Sequence, residues 1–413
     1  MKKRFNKNII VFVFFIIFVI SGINGSFFEK LRWNIIDVAA QIKHFDFISA
    51  RDLLDKVSVT ASEELNYHDC LMDINSLKEN IVGTRIIKKD EETTIIKSNS
   101  GSLVGAADVE FSDKDVSDVV LRFKGLKEKS DSVGAKFLYA AAPVKANFET
   151  LPENAENKAD TNLDKLMKYL EENQIPFLNL KEVIQEKQIP QKDIFYDTDH
   201  HWRAMTGFAV NSAICETLHK KYGAEYDIQK TLIDNYQIKT YFDWSLGSSG
   251  KKVGKYFSWN GLDDFEIITP IFSTSFSLIQ SQDQQYRNGK FEDTIIYKEY
   301  VSQKDPYRIV NYRAYCGGDY RKMIVKNNHG GSLGRVLMVK DSFANVVSPF
   351  LALQANETHI IDTRGFISED KLSVYDYIEE IKPNYVIVLY SGLTKLNYSE
   401  GKYDFDFDIS CKK

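Results

Sequence analysis

The chain has 413 residues, of which 43% are apolar and 27% are charged. This composition is typical of a globular protein with a large buried core and excludes an intrinsically disordered chain. The formal net charge of −5 comes from 53 basic and 58 acidic residues, which are spread along the chain without a long block of one sign. Nucleic-acid binding is therefore not expected, because it needs a basic patch or stripe.

The first 26 residues are typical of a targeting signal. Four cations, Lys2, Lys3, Arg4 and Lys7, precede an unbroken apolar run at residues 9–20. This pattern predicts export and places the rest of the chain outside the cytoplasm. No convincing cleavage site follows the run, so we predict a retained signal-anchor that tethers the protein to the membrane. A cleaved signal peptide and a buried core helix are the alternatives.

Four cysteines, Cys70, Cys215, Cys316 and Cys411, lie far apart in the sequence. Their spacing includes no C-x-x-C pair, so it supports neither a zinc site nor a thioredoxin-like motif. An exported location permits disulfides, and the four residues allow three pairings or four free thiols. Cys215 falls within a predicted helix, where we expect a small core residue.

Apolar periodicity divides the rest of the chain into a lead-in and an α/β region. Residues 27–100 hold amphipathic segments, including one at 31–42, and a hairpin-like stretch at 85–96, which we predict to be an N-terminal lead-in. From residue 101 onward β-rich runs alternate with helical patterns, which favours a parallel sheet. We predict strands at residues 136–142, 176–180, 335–340, 358–363 and 384–390, and helices at 113–130, 161–174, 203–222, 343–354 and 371–381.

Between about residues 225 and 328 the chain becomes rich in Tyr, Phe, Gln, Asp and Ser, which indicates an insertion. Short strands are predicted in it at 266–271 and 294–297. The Gly-Ser-Ser-Gly stretch at 247–250 is typical of a turn or flexible loop. Several aromatic side chains would suit stacking on sugar faces, although a small hydrophobic core is the favoured interpretation: Tyr241, Trp244, Phe257, Trp259 and Tyr286.

A candidate nucleophile follows one of the predicted strands. Its apolar residues are 336–339, flanked by Arg335 and Lys340, and such a run is typical of a strand buried on both faces. It is followed by Asp341 and Ser342, just before a predicted helix. Ligands bind at the carboxyl ends of such strands, and a helix N-terminus there offers N–H groups to an oxyanion. We expect those donors near Ser342 and Phe343. The alternative is that Asp341 or Ser342 only caps the helix.

A candidate acid and base precede the long helix predicted at 203–222. Asp199 and His201 are two residues apart, so on a loop the carboxylate can accept the Nδ1–H bond of the imidazole. Nε2 is then free to take a proton from a serine. A metal site that also includes Asp197 and His200 is one alternative, and a polar loop that caps the helix is another.

The residues at 198–202, Thr-Asp-His-His-Trp, resemble the signature of the bacterial DHHW family. That family is similar to the alginate O-acetylation proteins of the SGNH-hydrolase-like superfamily, in which the Asp-x-His pair also precedes the nucleophilic serine. The resemblance covers roughly residues 101–397 and departs from the pattern at Ser391, where a charged residue is expected. It implies a three-layer α/β/α sandwich with a mostly parallel sheet, formed by residues 101–413 and carrying the β-rich insertion.

The resemblance also implies a function and roles for three residues. Ser342 would be the nucleophile, His201 the base and Asp199 the orienting acid of a serine acyl transfer. We expect an O-acetyltransferase that modifies an extracellular or cell-envelope polysaccharide, with acetyl supplied by a membrane-bound O-acyltransferase and no cofactor. A carbohydrate esterase and a non-catalytic glycan-binding surface protein are the alternatives.

Three further residues are candidate substrate contacts. Arg364 and Lys145 each follow a predicted strand, so both are expected at the sheet edge that carries Ser342, where Arg364 could bind a sugar carboxylate. Each could instead have a structural role, Arg364 by pairing with a protein acid. Trp202 is adjacent to the proposed base and would either form the floor of a sugar site or pack His201 in place.

Overall fold

The computed structural model of the protein describes residues 67–90, 93–281, 285–364, 366, 372–391, 403 and 405. The signal-anchor predicted for residues 1–26 and the amphipathic segment at 31–42 lie outside this range. Within it, no helix combines the length and apolar character that a membrane span requires. The chain forms two compact units, Met1–Val82 and Gly83–Lys413. In the first of them the structure describes helix α1, His68–Ile81.

All thirteen strands in the part of the chain that the structure describes lie in the larger unit. These are β1 (Ile86–Lys88), β2 (Thr94–Lys97), β3 (Leu103–Gly105), β4 (Lys136–Ala142), β5 (Phe177–Asn179), β6 (Tyr236–Ser245), β7 (Asp263–Pro270), β8 (Phe276–Gln280), β9 (Tyr286–Gly289), β10 (Lys322–Asn327), β11 (Arg335–Lys340), β12 (Glu357–Ile361) and β13 (Tyr385–Ser391).

Its described α-helices are α2 (Asp113–Ser132), α3 (Ala159–Glu172), α4 (Leu180–Glu186), α5 (Gln191–Ile194), α6 (Ala204–Tyr222), α7 (Ser248–Val253), α8 (Phe291–Thr294), α9 (Ser348–Gln354) and α10 (Val374–Ile381). Two short 3-10 helices, Lys145–Asn147 and Ser342–Val346, follow β4 and β11 directly.

The main sheet has eight strands in the order β5-β4-β13-β11-β12-β10-β8-β9. The first five strands are parallel, and β10, β8 and β9 extend the sheet in antiparallel fashion. Strands β1, β2 and β3 form a small antiparallel sheet, and β6 pairs with β7. The region predicted as an insertion therefore adds strands β8, β9 and β10 to the main sheet itself.

Successive residues of the central strands face two separate cores. In β4, Phe137 and Tyr139 pack into the core that is lined by α2, α3 and α10. Leu138 and Ala140 pack into the other core, with α4, α6 and α9. Because helices cover both faces, every position along such a strand must be apolar, which explains the unbroken apolar runs in the sequence. The predicted three-layer α/β/α sandwich is confirmed.

Three local predictions differ from the structure. The stretch at 247–250, predicted as a turn or flexible loop, instead begins helix α7 at Ser248. Residues 294–297 do not form a strand: α8 ends at Thr294, and beyond it only Ile296 makes an isolated bridge, to Tyr315. The single helix predicted at 343–354 is a 3-10 turn followed by α9, which carries Pro349 in its first turn. A proline is favoured in the first turn because the N–H groups there have no intrahelical acceptor, so no hydrogen bond is lost.

The cysteines that the structure describes, Cys70, Cys215 and Cys316, are free thiols. Cys215 lies on α6 and is completely buried, which matches the expected core position. Burial raises the pKa of its thiol to about 12, so it stays protonated at neutral pH.

Candidate active site

The parallel strands bring the candidate residues to one edge of the sheet. Lys145 lies just beyond the carboxyl end of β4, Ser342 just beyond that of β11 and Arg364 beyond that of β12, while Ser391 is the last residue of β13. Since β11 lies between β12 and β13, Ser342 follows an interior strand of the parallel part of the sheet. This is the edge at which open α/β sheets bind ligands.

Asp341, and not Ser342, caps the turn after β11. Its Oδ1 accepts a hydrogen bond from the N–H of Phe343 at 3.0 Å. Its Oδ2 accepts bonds from the N–H and the hydroxyl of Ser391, both at 2.7 Å. Asp341 thus ties the ends of β11 and β13 together and leaves the Ser342 hydroxyl for another partner. The Phe343 N–H is engaged in this cap, which corrects its expected role as an oxyanion donor.

Ser342, His201 and Asp199 form a continuous chain of hydrogen-bond distances. Ser342 Oγ lies 2.7 Å from His201 Nε2, and His201 Nδ1 lies 2.8 Å from Asp199 Oδ1. The Asp199 carboxylate also accepts the backbone N–H of His201 at 3.1 Å. An ionised carboxylate can only accept, so Nδ1 carries the proton and Nε2 is free to accept from the serine. This is the arrangement of a serine hydrolase triad.

Aromatic rings hold the imidazole of His201 in place. The Tyr312 ring stacks on it with centroids 4.1 Å apart, and the His200 ring lies 3.8 Å away on a tilted plane. Trp202 is completely buried and donates its indole N–H to the carbonyl of Phe343 at 2.9 Å. Trp202 has no accessible surface for a sugar, so its predicted substrate contact is corrected to packing behind the base.

Burial and neighbouring charges set the protonation of the pair. Burial lowers the pKa of His201, and His200 acts in the same direction, while Asp199 opposes both. Burial alone would raise the pKa of Asp199, but His201 and His200 hold it well below its ordinary value. At neutral pH Asp199 is therefore ionised and His201 is neutral, as a general base must be.

These shifts lead to a pH prediction. Because only neutral His201 can accept the serine proton and its pKa is lowered, we expect activity to persist below the ordinary histidine value of 6.5. The measurement is kcat/KM for an ester substrate across the acidic range, which should show one ionisation with a midpoint below 6.5. A midpoint above that value would contradict the burial argument.

Residues at the start of α7 contact Asp199 and bind the carboxylate oxygen that does not bind His201. The N–H of Ser248 donates to Asp199 Oδ2 at 2.9 Å, and the Ser248 hydroxyl lies 2.9 Å from His200 Nδ1. Gly247 precedes it, and a Cβ there would stand 2.3 Å from the Asp199 Cβ, so only glycine fits. The sequence indicates only a turn or flexible loop at Gly247 and Ser248. Their contact with Asp199 is not visible in it, because Asp199 lies 49 residues from Ser248 in the chain.

Lys145 and Arg364 are both occupied by protein groups. Lys145 is only 3% exposed and donates its ammonium to backbone carbonyls, so its predicted substrate contact is corrected to a structural role. The Arg364 guanidinium binds both oxygens of Asp362 and lies 3.3 Å from Asp319 Oδ2. Its side chain keeps 31% of its surface exposed, and a role in substrate binding stays a prediction.

Asp199, His200 and His201 also meet the geometric minimum for a cation site, since one ligand atom from each lies within 4.8 Å of the others. Asp197, the fourth predicted ligand, instead accepts a bond from Asn260. Both ring nitrogens of His201 are already hydrogen-bonded, so a cation on either one would displace Ser342 or Asp199. The geometry therefore favours proton transfer over metal binding.

A groove of about 470 Å³ opens beside the triad of Ser342, His201 and Asp199. His200, Phe343 and Ser391 form its inner end, next to the triad. Strands β2 and β3 contribute apolar and polar surface, and α7 contributes the exposed Lys252. The groove is large enough for sugar units and has both hydroxyl groups and apolar faces to offer them.

Comparisons with known proteins agree with this fold. Residues 110–237 match the family model described as the SGNH hydrolase-like domain of the acetyltransferase AlgX. The match includes Asp199 and His201 and ends well before Ser342, which only the tertiary structure connects to them. This confirms the predicted likeness to SGNH-hydrolase-like acetylation proteins. No curated protein sequence matches the chain.

Solved structures extend the likeness over most of the chain. A structure of Bacillus cereus PatB1 with a sulfonyl adduct is 21% identical, covers 78% of this chain and 99% of its own, and has a TM-score of 0.62. A DHHW family protein from Eubacterium siraeum is 16% identical, covers 77% of this chain and 95% of its own, and has a TM-score of 0.55. At these identities the likeness establishes the shared fold.

Proposed function

We propose that this protein is an exported serine acyltransferase that moves an acetyl group to a polysaccharide hydroxyl through an acetyl-serine intermediate. One observation carries the proposal: Ser342, His201 and Asp199 are linked by distances of 2.7 and 2.8 Å at the ligand-binding edge of the sheet. The acetyltransferase family model that includes the acid and base supports transfer as the outcome.

In the first half-reaction, His201 Nε2 accepts the Ser342 proton as Oγ attacks the acetyl carbonyl. Asp199 stabilises the imidazolium that forms. The N–H of Ser342 is the first of its 3-10 helix and so has no acceptor within that helix, which suits it to stabilise the oxyanion. The tetrahedral intermediate then collapses, the donor's oxygen leaves with the proton from His201, and the acetyl group remains on Oγ.

In the second half-reaction, a sugar hydroxyl takes the place of the leaving group. His201 removes its proton as the oxygen attacks the acetyl-serine, and returning that proton to Oγ restores the enzyme. Water in the same position would make the protein an esterase. The groove beside the triad is the place for the acceptor, and Lys252 at its rim would attract a sugar that carries a carboxylate.

Export, a membrane tether and a membrane-bound O-acyltransferase as acetyl donor complete the proposal. Export and the tether are supported by the cationic and apolar N-terminal sequence, and the donor by the family resemblance. The acceptor is then a polysaccharide outside the cytoplasm.

The test uses the purified full chain with p-nitrophenyl acetate and a panel of neutral and acidic oligosaccharides. We expect a covalent acetyl adduct on the peptide that contains Ser342, and acetylated sugar among the products. Hydrolysis that no sugar alters would replace transferase by esterase. Sugar binding with neither adduct nor turnover would overturn the enzymatic proposal in favour of a glycan-binding protein.

A further inference from the structure

Two buried, oppositely charged side chains hold the loop that carries the proposed acid and base. Lys145 and Asp263 are each only 3% exposed. They reach residues 196–199 from different elements, since Lys145 follows β4 and Asp263 begins β7. Neither has a part in the proton transfer itself.

Lys145 binds the carbonyl oxygens of this loop. Its Nζ donates to the carbonyls of Tyr196 at 2.6 Å, Asp197 at 2.9 Å and Asp199 at 3.1 Å. It also donates to the carbonyl of Leu103 in β3 at 2.8 Å. An ammonium group has three donors, so these four acceptors use its full capacity and leave none for a substrate.

Asp263 binds the donors of the same loop. Its carboxylate accepts the backbone N–H of Asp197 at 2.5 Å and that of Thr198 at 2.9 Å. It also accepts the Thr198 hydroxyl at 2.5 Å, and Arg203 lies 3.7 Å away. The loop is thus bound through its carbonyl groups by a cation and through its N–H groups by an anion.

This arrangement has a physical reason. Most of these backbone groups have no partner in a helix or sheet, and leaving a buried polar group unpaired costs about 1–3 kcal/mol. Burial lowers the pKa of Lys145 to about 8 and raises that of Asp263 to about 6, so both are charged at neutral pH. Removing either charge would leave several of these loop groups without that partner.

We infer that Lys145 and Asp263 are positioning residues, whose opposite charges fix the backbone at 196–199 so that Asp199 meets His201. The inference rests on the proposed function, since it assumes that Asp199 and His201 are the acid and base of the reaction. A displacement of about 1 Å in a catalytic group can cost about 100-fold in rate. Lys145 and Asp263 therefore influence turnover through Asp199; Lys145 also lines the groove, but its donors are already taken by backbone carbonyls.

The test compares Lys145→Met, Asp263→Asn and the double variant with Asp199→Asn, all in the full chain. Each single variant should lower kcat by about 100-fold with little change in KM. The acidic midpoint of kcat/KM should also fall, as in Asp199→Asn, because Asp199 raises the pKa of His201. The kcat of the double variant should be scarcely lower than that of either single variant, since both substitutions act on the same loop.

The matched control is Lys165→Met, which removes another lysine that donates to a backbone carbonyl, that of Phe111 at 2.8 Å. It should affect thermal stability alone. Thr198→Val removes one partner of Asp263, together with the acceptor of the Gly247 N–H, without stranding a charge. It therefore tests whether this loop positions Asp199 even if the charge variants fail to fold. Folded variants, Thr198→Val included, with wild-type kcat and an unmoved acidic midpoint would overturn the inference.

An NMR measurement separates this inference from the proposed function. The proton on His201 Nδ1 is hydrogen-bonded to Asp199. It should give a downfield resonance in the wild-type protein, whether or not the protein turns over substrate. We expect this resonance to be lost in Lys145→Met or, if that variant does not fold, weakened in Thr198→Val. An unchanged resonance in the folded variants would overturn positioning, whereas a wild-type protein without an acetyl adduct would overturn only the proposed enzyme.

Discussion

Ser342→Ala should abolish the acetyl adduct and lower kcat for ester turnover by about 10⁴- to 10⁶-fold. The hydroxyl is the only group of this side chain that can attack the carbonyl, and its proton has a base 2.7 Å away. The fold should remain intact, because the change removes one hydrogen bond, worth about 1 kcal/mol. Intact-protein mass spectrometry and steady-state kinetics measure the two effects.

A serine remote from the site provides the control for this variant. Ser132 is exposed at the end of α2 and bonds only locally, to the carbonyl of Lys129. Ser132→Ala should therefore keep both adduct and turnover. If Ser342→Ala were as active as the Ser132 variant, the nucleophile would be a different residue and the proposed mechanism would be wrong.

His201→Ala should have the second large effect, a loss of about 10⁴- to 10⁶-fold in kcat. It removes the base and leaves a space beside Tyr312 that matches a free imidazole ring. Added imidazole should therefore restore part of the activity, with a pH profile set by the added base. Stability should also fall, since a buried, stacked ring is lost.

His200→Ala is the informative comparison because this ring lies beside His201 but is half exposed and bonds Ser248, not Ser342. We expect a loss of less than about tenfold, since no proton transfer depends on it. The metal alternative makes a different prediction: the two histidine variants would be equally damaging, and a chelator would remove the activity of the wild-type protein.

Local patterns were sufficient for much of the fold. The apolar runs at residues 137–142 and 336–339 predict strands at 136–142 and 335–340, the same bounds that β4 and β11 have in the structure, because a strand covered on both faces is apolar except at its ends. The spacing of apolar residues before Gly223 likewise predicts α6, which ends where that glycine adopts a left-handed conformation. The predictions were poorer in the region 225–328, where β6 pairs with β7 and β8 pairs with β9 and β10, because local periodicity does not show which strands pair or that β10 joins β12 of the main sheet.

In the candidate site, too, local contacts could be predicted from the sequence and distant ones could not. Asp199 and His201 are two residues apart, so one loop suffices to place the carboxylate on Nδ1, and the sequence alone predicts the pair, with a metal site and a capping loop as alternatives. Ser342 is 141 residues from His201, and its role as cap or nucleophile stays open until the strand order is known. The tertiary structure shows that Asp341 takes the capping bonds and that the serine hydroxyl lies 2.7 Å from the imidazole, which is the geometry that the proposed nucleophile needs.

By itself, then, the sequence determined the α/β class, the strand that ends just before Asp341 and Ser342, and the candidate pair Asp199 and His201, all of which depend on periodicity or on neighbours in the chain. Only the tertiary structure decided that Lys145 and Trp202 are buried supports, and that Ser248 and Asp263 join the site. Their partners lie tens of residues away, so the sheet topology alone brings them together. Residue type cannot distinguish a lysine that awaits a substrate from one whose donors are already taken by backbone carbonyls.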